Sequence, residues 1–292
     1  MTLMRFIGLL VPELHLAWLV LRRRIVAAQS GAPLMATQRA AAPQETADRD
    51  KAWDEARAEL AALRGRAFRD VEVEIERLRK STQGGVGPAG AGYVFLFSGD
   101  AGTGKSTLAA MLPRLLFGAG MVESSSVLDL RTTLPAGGEP GVWVADDADE
   151  VWQDPMLFTQ IGRAFLRTND KGPTAAMCLV GGPGFATRLA RDSQESFWLM
   201  KCEIHDYVLP ALSDDELVMA AQDLAQGMGF ALDGEAPANL RKALARERGS
   251  TRPAPSGSRG FDGIGTVIQL LTQAKKAAVR QDRRTIVAAD FI

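Results

Sequence analysis

The sequence is poor in the side chains that mark several common classes of protein. It contains two cysteines, Cys178 and Cys202, and two histidines, His15 and His205. Two cysteines are too few for a disulfide framework or a zinc cluster, and isolated histidines lack metal-ligand spacing. This scarcity suits a reducing compartment, so we expect a cytoplasmic protein that folds around an apolar core.

The sequence also lacks an excess of charge of either sign. It has 34 lysines and arginines against 35 aspartates and glutamates, a formal net charge of −1. Overall charge therefore gives no general attraction to nucleic acid, which would need a local basic patch. Basic residues do gather late in the chain: Arg252, Arg259, Lys275, Lys276, Arg280, Arg283 and Arg284. Such a run is most often a solvated helix face, so we do not expect a nucleic-acid partner.

A long hydrophobic run is missing as well. The stretch Phe6–Leu21 is interrupted by Pro12, Glu13 and His15, and it is shorter than the about 20 residues that a spanning helix needs. Its apolar residues form one helical stripe: Leu3, Ile7, Leu10, Leu14, Ala17 and Leu21. We expect a helix that packs on this protein or on a partner. Contact of residues 1–24 with a membrane surface, and a span or signal, are the alternatives.

The composition predicts three parts along the chain. Residues 1–48 hold the apolar helix and a linker, because residues 29–48 are rich in Ala, Gln, Pro and Thr and show no apolar periodicity. Residues 49–210 form an α/β domain that opens with two helices separated at Gly65. Residues 211–292 form a region made of helices.

Four apolar runs predict buried strands, and they alternate with helical patterns. The runs lie in YVFLF, SSVLDL, GVWVADD and AAMCLVGG. Strands that alternate with helices predict a parallel sheet with helices on both faces. After Pro210 the patterns are helical, and Ser213 with Glu216 forms a capping box at the first of three predicted helices.

The segment FSGDAGTGKST, residues 97–107, is the most specific motif in the chain. It follows a predicted strand, opens a predicted helix and fits the phosphate-loop pattern G-x-x-x-x-G-K-[ST]. Its glycines let backbone N–H groups surround nucleotide phosphates, Lys105 would reach the β- and γ-phosphates, and Ser106 would bind Mg²⁺. We therefore expect ATP and Mg²⁺ as ligands. The expected binding residues are Gly99, Asp100, Ala101, Gly102, Thr103, Gly104, Lys105, Ser106 and Thr107.

A phosphate loop also needs an acidic strand end, and VWVADDADE provides one. Asp146 would complete the magnesium site and Asp147 stands where a water-activating residue is expected. An aspartate is one methylene shorter than a glutamate, and Glu150 is the weaker alternative for this role. The candidate catalytic residues are thus Asp147 and Lys105, and the candidate metal ligands are Ser106 and Asp146.

Several segments resemble the CbbX/SpoVK/EccA-like branch of the AAA+ ATPases, which includes red-type Rubisco activase. FLFSGDAGTGKST is similar to the phosphate loop of that branch, and ELAALRGRAFRDVEVEIERL is similar to its entry helices. LSDDELVMAAQDLAQGMGF and RRTIVAADFI resemble the opening and closing segments of its lid. The resemblance implies a P-loop NTPase domain with a small helical lid, assembled into rings in which an arginine of one subunit completes the site of the next.

The chain departs from this branch at the residues that carry out ATP hydrolysis and couple it to mechanical work. LDLRTTLPAGGEPGVW is too short for the pore loop and helix usually found there. Met200 stands at the position of the finger arginine, which leaves Lys201 and Arg188 as candidates. Gly265 falls where the lid arginine is expected, and 181–182 is a pair of glycines in place of a polar sensor.

Two kinds of function fit this mixture. The first is an ATPase that remodels or assembles a client protein, with weak intrinsic activity that depends on a partner subunit. The alternative is a hydrolysis-deficient, ATP-gated scaffold subunit in a mixed AAA+ ring. A nucleic-acid-linked loader ATPase is a third hypothesis, and it has the least support. In each case we expect homo- or hetero-oligomers.

Overall fold

The fold is described from a computed structural model, which covers residues 43–62, 66–85, 87–88, 90–191, 197–249 and 263–291. The predicted apolar helix of residues 1–24 and the predicted linker up to residue 42 lie outside these ranges. Within them, no helix combines the length and the apolar character that crossing a membrane requires.

Helices and strands alternate up to residue 209, and helices dominate after it. The α-helices are α1 Pro43–Ala62, α2 Arg66–Gln83, α3 Lys105–Gly118, α4 Ala148–Trp152, α5 Pro155–Thr168, α6 Phe185–Arg191, α7 Asp214–Gly227, α8 Ala236–Gly249 and α9 Ile264–Arg280. The strands are β1 Tyr93–Gly99, β2 Val127–Asp129, β3 Gly141–Asp146, β4 Ala175–Gly181, β5 Glu203–Leu209, β6 Ala231–Leu232 and β7 Thr285–Ile286. Short 3₁₀ helices span Phe197–Lys201 and Ala288–Phe291.

Five strands form one sheet in the order β2-β3-β4-β1-β5. The pairs β2·β3, β3·β4 and β4·β1 are parallel, with Cys178 opposite Val144 on one side and Phe95 on the other. Every residue of β1 and β4 is buried, as their apolar runs predict for central parallel strands. This confirms the predicted α/β fold. It also brings the carboxyl ends of β1, β2, β3 and β4 to the same edge of the sheet.

The first helix begins earlier than the sequence suggested. It starts at Pro43, so the predicted linker was wrong for residues 43–48. Proline is tolerated in the first turn, where its missing N–H has no partner to lose. Arg49 then holds this turn in place, because it pairs with Glu45 at 2.9 Å and donates to the carbonyl of Phe117 at 3.1 Å. The predicted division into two entry helices is confirmed by α1 and α2.

The described residues divide into two compact units. The sheet unit takes residues 43–62, 69–98 and 106–208 of the described part. The helical unit takes residues 66–68, 99–105, 209–249 and 263–291. The core of the sheet unit contains large aromatic side chains, among them Trp143, Phe158, Phe165, Phe185 and Trp198.

Helices α7, α8 and α9 form the helical unit around leucines and alanines such as Leu217, Leu240 and Ala274. The predicted capping box at its start is confirmed: Ser213 accepts from the Glu216 amide at 3.3 Å, and Glu216 accepts from the Ser213 amide at 2.9 Å. Two orphan amides of α7 are thereby satisfied, which fixes where this helix begins.

Candidate functional site

The predicted phosphate loop lies between the end of β1 and the start of α3. Two of its glycines are required by the backbone. Gly104 has φ of +92°, and a Cβ there would stand 2.6 Å from the ring of Phe68. A Cβ on Gly99 would stand 2.3 Å from the carbonyl oxygen of Leu209. A side chain at either position would therefore force the loop out of this conformation.

Lys105, the first residue of α3, folds back over the loop. Its Nζ donates to the carbonyl oxygens of Gly99 at 2.9 Å and Asp100 at 2.5 Å. Thr103 donates its hydroxyl to the same Asp100 carbonyl at 3.0 Å. The ammonium group is thus held over the loop that precedes the helix N-terminus, where helix amides and the helix dipole favour an anion.

The N-terminus of α9 also contacts this loop. The amide of Ile264 donates to the carbonyl of Gly102 at 3.4 Å, and Gly263 beside it has φ of +44°. A Cβ on Gly263 would lie 2.8 Å from the same carbonyl oxygen. The resemblance predicted a nucleotide-sensing arginine of the lid near Gly265. The sequence has glycine there, and the backbone of α9 contacts the phosphate loop.

Ser106 and Asp146 meet, although β4 lies between β1 and β3 in the sheet. The Ser106 hydroxyl donates to a carboxylate oxygen of Asp146 at 3.0 Å. Asp146 is the last residue of β3 and Ser106 is in the first turn of α3, so the shared edge of the sheet brings them together. A hydroxyl and a carboxylate are hard oxygen ligands of the kind that Mg²⁺ prefers, so this pair fits a magnesium ion.

Asp147 turns away from the strand in a left-handed conformation. Its φ is +66°, and it stands immediately before α4. Its side chain is 68% exposed, and its Oδ2 lies 3.9 Å from Nη1 of Arg131. This conformation directs the chain from β3 into α4. The role of Asp147 with a water molecule remains a prediction.

Arg131 was missed by the sequence analysis. It follows β2, and Asp129 accepts from its Nε at 3.3 Å and its Nη2 at 3.2 Å. The side-chain hydrogen bond to Asp129 raises the pKa of Arg131, and Asp146 and Asp147 add to this effect through their charges. The same hydrogen bond lowers the pKa of Asp129. Only the pairing of β2 with β3 places Arg131 near Asp146 and Asp147 at the end of β3, and this pairing has no local signal in the sequence.

Arg188, a candidate finger arginine, pairs within its own chain. It forms an ion pair with Asp149 and donates to the carbonyl of Pro183 at 2.8 Å. The other oxygen of Asp149 accepts from the amide of Gly182 at 2.6 Å. Asp149 therefore joins the turn after β3 to the turn after β4.

The remaining candidates lie in the 3₁₀ helix and in the helical unit. Lys201 and Met200 are exposed at the end of the 3₁₀ helix, and the Lys201 carbonyl accepts from Ala91 at 2.6 Å. Among the late basic residues, Lys275 lies 5.5 Å from the Phe230 ring centroid, and Arg283 pairs with Asp290 at 3.0 Å. Arg252 and Arg259 fall outside the described residues.

No protein-family model matches this sequence, and no curated protein matches it. Solved structures do match its fold. The ADP form of the ORC2 protein from Aeropyrum pernix is 16% identical, with a TM-score of 0.51, over 76% of this chain and 66% of that one. The ADPNP–ADP complexes of the same protein are 15% identical, with a TM-score of 0.54, over 78% of this chain and 67% of that one.

The matched ORC2 structures have the AAA+ ATPase fold, a parallel α/β sheet followed by a helical region. The present chain therefore has this fold, and it spans about two thirds of the length of these structures. The likeness shows the fold alone, and it leaves the CbbX/SpoVK/EccA-like branch as a prediction.

Proposed function

We propose that this chain is an AAA+ protein that binds ATP with magnesium. The hydrogen bond between Ser106 and Asp146 supports the proposal most directly, because it joins the two expected metal ligands from separate elements. The residues that would surround the phosphates are Gly99, Asp100, Ala101, Gly102, Thr103, Gly104, Lys105, Ser106 and Thr107. A bound Mg²⁺ would neutralise phosphate charge and would be held by Ser106 and Asp146.

Slow hydrolysis of ATP is part of this proposal. Asp147 is the candidate for orienting the attacking water, and Lys105 for stabilising charge on the phosphates. The names of the matched ORC2 structures mention ADP and ADPNP, a pair that differs in the phosphate chain. These ligands belong to that protein, and they support nucleotide binding here through the shared fold alone.

The wider role is a remodelling or assembly subunit that works with other AAA+ subunits and a client protein. The proposed domains are residues 1–48, 49–210 and 211–292, with the first boundary moved to 42/43 because α1 begins at Pro43. The proposed compartment is the cytoplasm. Contact with a membrane surface through residues 1–24 belongs to the same proposal. The likeness to an ORC2 protein keeps a nucleic-acid-linked loader as a rival, although the late basic residues that the structure describes include paired ones.

One observation favours the alternative, a hydrolysis-deficient scaffold. The position of the polar sensor at the end of β4 is Gly181, and a Cβ there would lie 2.2 Å from Phe185. The packing of Phe185 thus excludes any larger side chain from this position. A chain built in this way could bind ATP and hold a partner without hydrolysing the nucleotide.

Calorimetric titration with ATP, in the presence and absence of Mg²⁺, tests the proposal. Lys105→Ala removes a charged hydrogen-bond donor, and we expect about 10- to 100-fold weaker binding. Asp146→Asn should bring the affinity for ATP with Mg²⁺ close to that without it. The matched control is Lys51→Ala, which removes an exposed lysine of α1 paired only loosely with Glu55 at 3.9 Å.

The control variant should bind like the original protein. If the folded original protein gives no heat with millimolar ATP and Mg²⁺, the proposed function is wrong. If Lys105→Ala and Lys51→Ala bind equally well, nucleotide binds elsewhere and the loop is not the site.

A further inference from the structure

The acidic turn is the segment of residues 146–150 that leads from the end of β3 into α4, and it concentrates negative charge. The sequence DDADE places Asp146, Asp147, Asp149 and Glu150 within five consecutive residues. Like charges repel one another, and this repulsion is offset by nearby cations. The described part of the sheet unit provides them on both sides.

On the β2 side, Arg131 donates two hydrogen bonds to Asp129, which fixes the plane of its guanidinium group. Its remaining nitrogen, Nη1, lies 3.9 Å from Asp147. The pair is exposed, with Arg131 at 42% and Asp147 at 68%, so its contribution to folding stability is small. The arrangement places a positive charge beside the Asp147 carboxylate.

On the β4 side, Arg188 is fixed by the carbonyl of Pro183 and pairs with Asp149. Asp149 also binds the Gly182 amide. The two arginines therefore reach the acidic turn from the strands on either side of β3. This symmetry follows from the order β2-β3-β4, because each neighbouring strand ends at the same edge.

Both arginines act on acids of their own chain. Arg188 was a candidate for completing the site of another subunit, but a guanidinium group that pairs with Asp149 and Pro183 is already engaged. Arg131 likewise pairs with Asp129 and faces Asp147. Breaking these contacts to reach another subunit would leave the acidic turn without its cations.

We propose that Arg131 and Arg188 are positioning residues that hold the acidic turn after β3 from two sides, in cis. Arg131 acts through Asp147 and Arg188 acts through Asp149. The geometry of the turn then depends on one chain, and an arginine from a second copy is not required for it. This inference rests on the proposed slow hydrolysis of ATP.

The test combines single-chain kinetics with subunit mixing. In the double variant Arg131→Ala/Arg188→Ala, we expect kcat for phosphate release to fall about 10- to 100-fold, because a small misplacement of the water-orienting carboxylate can slow the reaction by this amount. The Kd for ATP with Mg²⁺ should stay within about threefold. Arg131→Lys/Arg188→Lys keeps the charge but loses the planar contact, so its kcat should lie in between. Arg114→Ala, which breaks an exposed pair with Glu59, is the matched control.

The mixing experiment distinguishes action in cis from action in trans. The double alanine variant is combined with Lys105→Ala, which keeps both arginines but has lost the proposed phosphate contact. If the arginines act in cis, the rate of phosphate release by the mixture equals the sum of the rates of the two separate variants. A mixture that is several-fold faster means that arginines of one chain serve the other, and it overturns the proposal.

Other outcomes are equally informative. A double alanine variant that keeps the original kcat also overturns the proposal. If the original protein binds ATP but releases no phosphate, this inference is wrong while the proposed binding function stands. If it does not bind ATP at all, both fail. Circular dichroism of each variant, together with the nucleotide affinity of the arginine variants, shows whether it is folded. The lysine pair provides the test if the alanine pair is unfolded.

Discussion

The sheet unit and the helical unit are packed in different ways. The core of the sheet unit contains rings in contact, such as Trp143 on Phe165 at a centroid distance of 5.5 Å. The core of the helical unit is made mostly of small and aliphatic side chains, with alanines along α9 at 274 and 278. Its ends are fixed by polar contacts, the capping box at Ser213 and the Arg283–Asp290 ion pair.

This difference indicates how each unit fails. Large rings fill volume, so truncating one of them leaves a cavity. Alanines let helices approach closely, so enlarging one of them pushes helices apart. Tryptophan fluorescence distinguishes the two cases. All five tryptophans precede residue 209, so their fluorescence does not report directly on the helical segment after it.

The largest effect is expected from Phe165→Ala. Phe165 is fully buried between Trp143 and Trp198, so its loss should reduce the free energy of unfolding by about 3–5 kcal/mol. Urea unfolding followed by tryptophan fluorescence measures the change. Phe197→Ala removes a ring that is 59% exposed and serves as the control, with little expected change. Equal effects of the two would show that the aromatic cluster does not stabilise the sheet unit.

A smaller effect is expected from Ala274→Leu in the helical unit. Ala274 is fully buried in α9, and the added carbons should reduce stability by about 1–3 kcal/mol through overpacking. Unfolding followed by circular dichroism at 222 nm, a wavelength that reports helices, measures the loss. Gln273→Leu makes a similar change at an exposed neighbour and should be close to neutral. A stabilising Ala274→Leu would mean that a void lies beside α9.

The smallest effect is expected from Asp290→Asn, and it depends on pH. Burial acts to raise the pKa of Asp290, but hydrogen bonds from Arg283 and the Val287 amide outweigh it, so the pKa is below its ordinary value. A lowered pKa stabilises the fold above the unfolded value of about 3.9, and this contribution is lost as pH falls through the folded value.

Asp290→Asn should therefore cost about 0.5–1.5 kcal/mol at pH 7, and the difference from the original protein should shrink as pH falls below about 4. Denaturation at several pH values measures this. Asp282→Asn, which changes an exposed carboxylate of the same unit, serves as the control. A cost that is constant with pH would show that ionisation of Asp290 does not matter.

The sequence predicted the parts of the fold that have strong local patterns. The apolar runs gave β1, β3 and β4, and Ser213 with Glu216 gave the start of α7. Strand β5 was not predicted, because Glu203, His205 and Asp206 interrupt its pattern. His205 is buried nonetheless, stacked on Phe95 at 5.0 Å and 3.4 Å from Glu74, and both partners are distant in sequence.

The candidate site divides in the same way. The loop at Gly99–Lys105 and the acids at Asp146 and Asp147 are local motifs, so they could be named from the sequence. The contacts of Arg131 and Arg188 depend on which strands are neighbours, and the contact of Ile264 with Gly102 depends on how α9 packs. Tertiary contacts of this kind leave no periodic signal in a single sequence.

Burial of the two thiols has a practical consequence. Cys178 and Cys202 are both inaccessible to solvent, burial raises the pKa of Cys178, and both belong to the sheet unit. A thiol reagent will therefore react only when that unit opens, so the rate of thiol modification measures the opening of the sheet unit. A cysteine introduced at an exposed position such as Lys51 would react at once, which allows a dye to be attached without removing the native thiols.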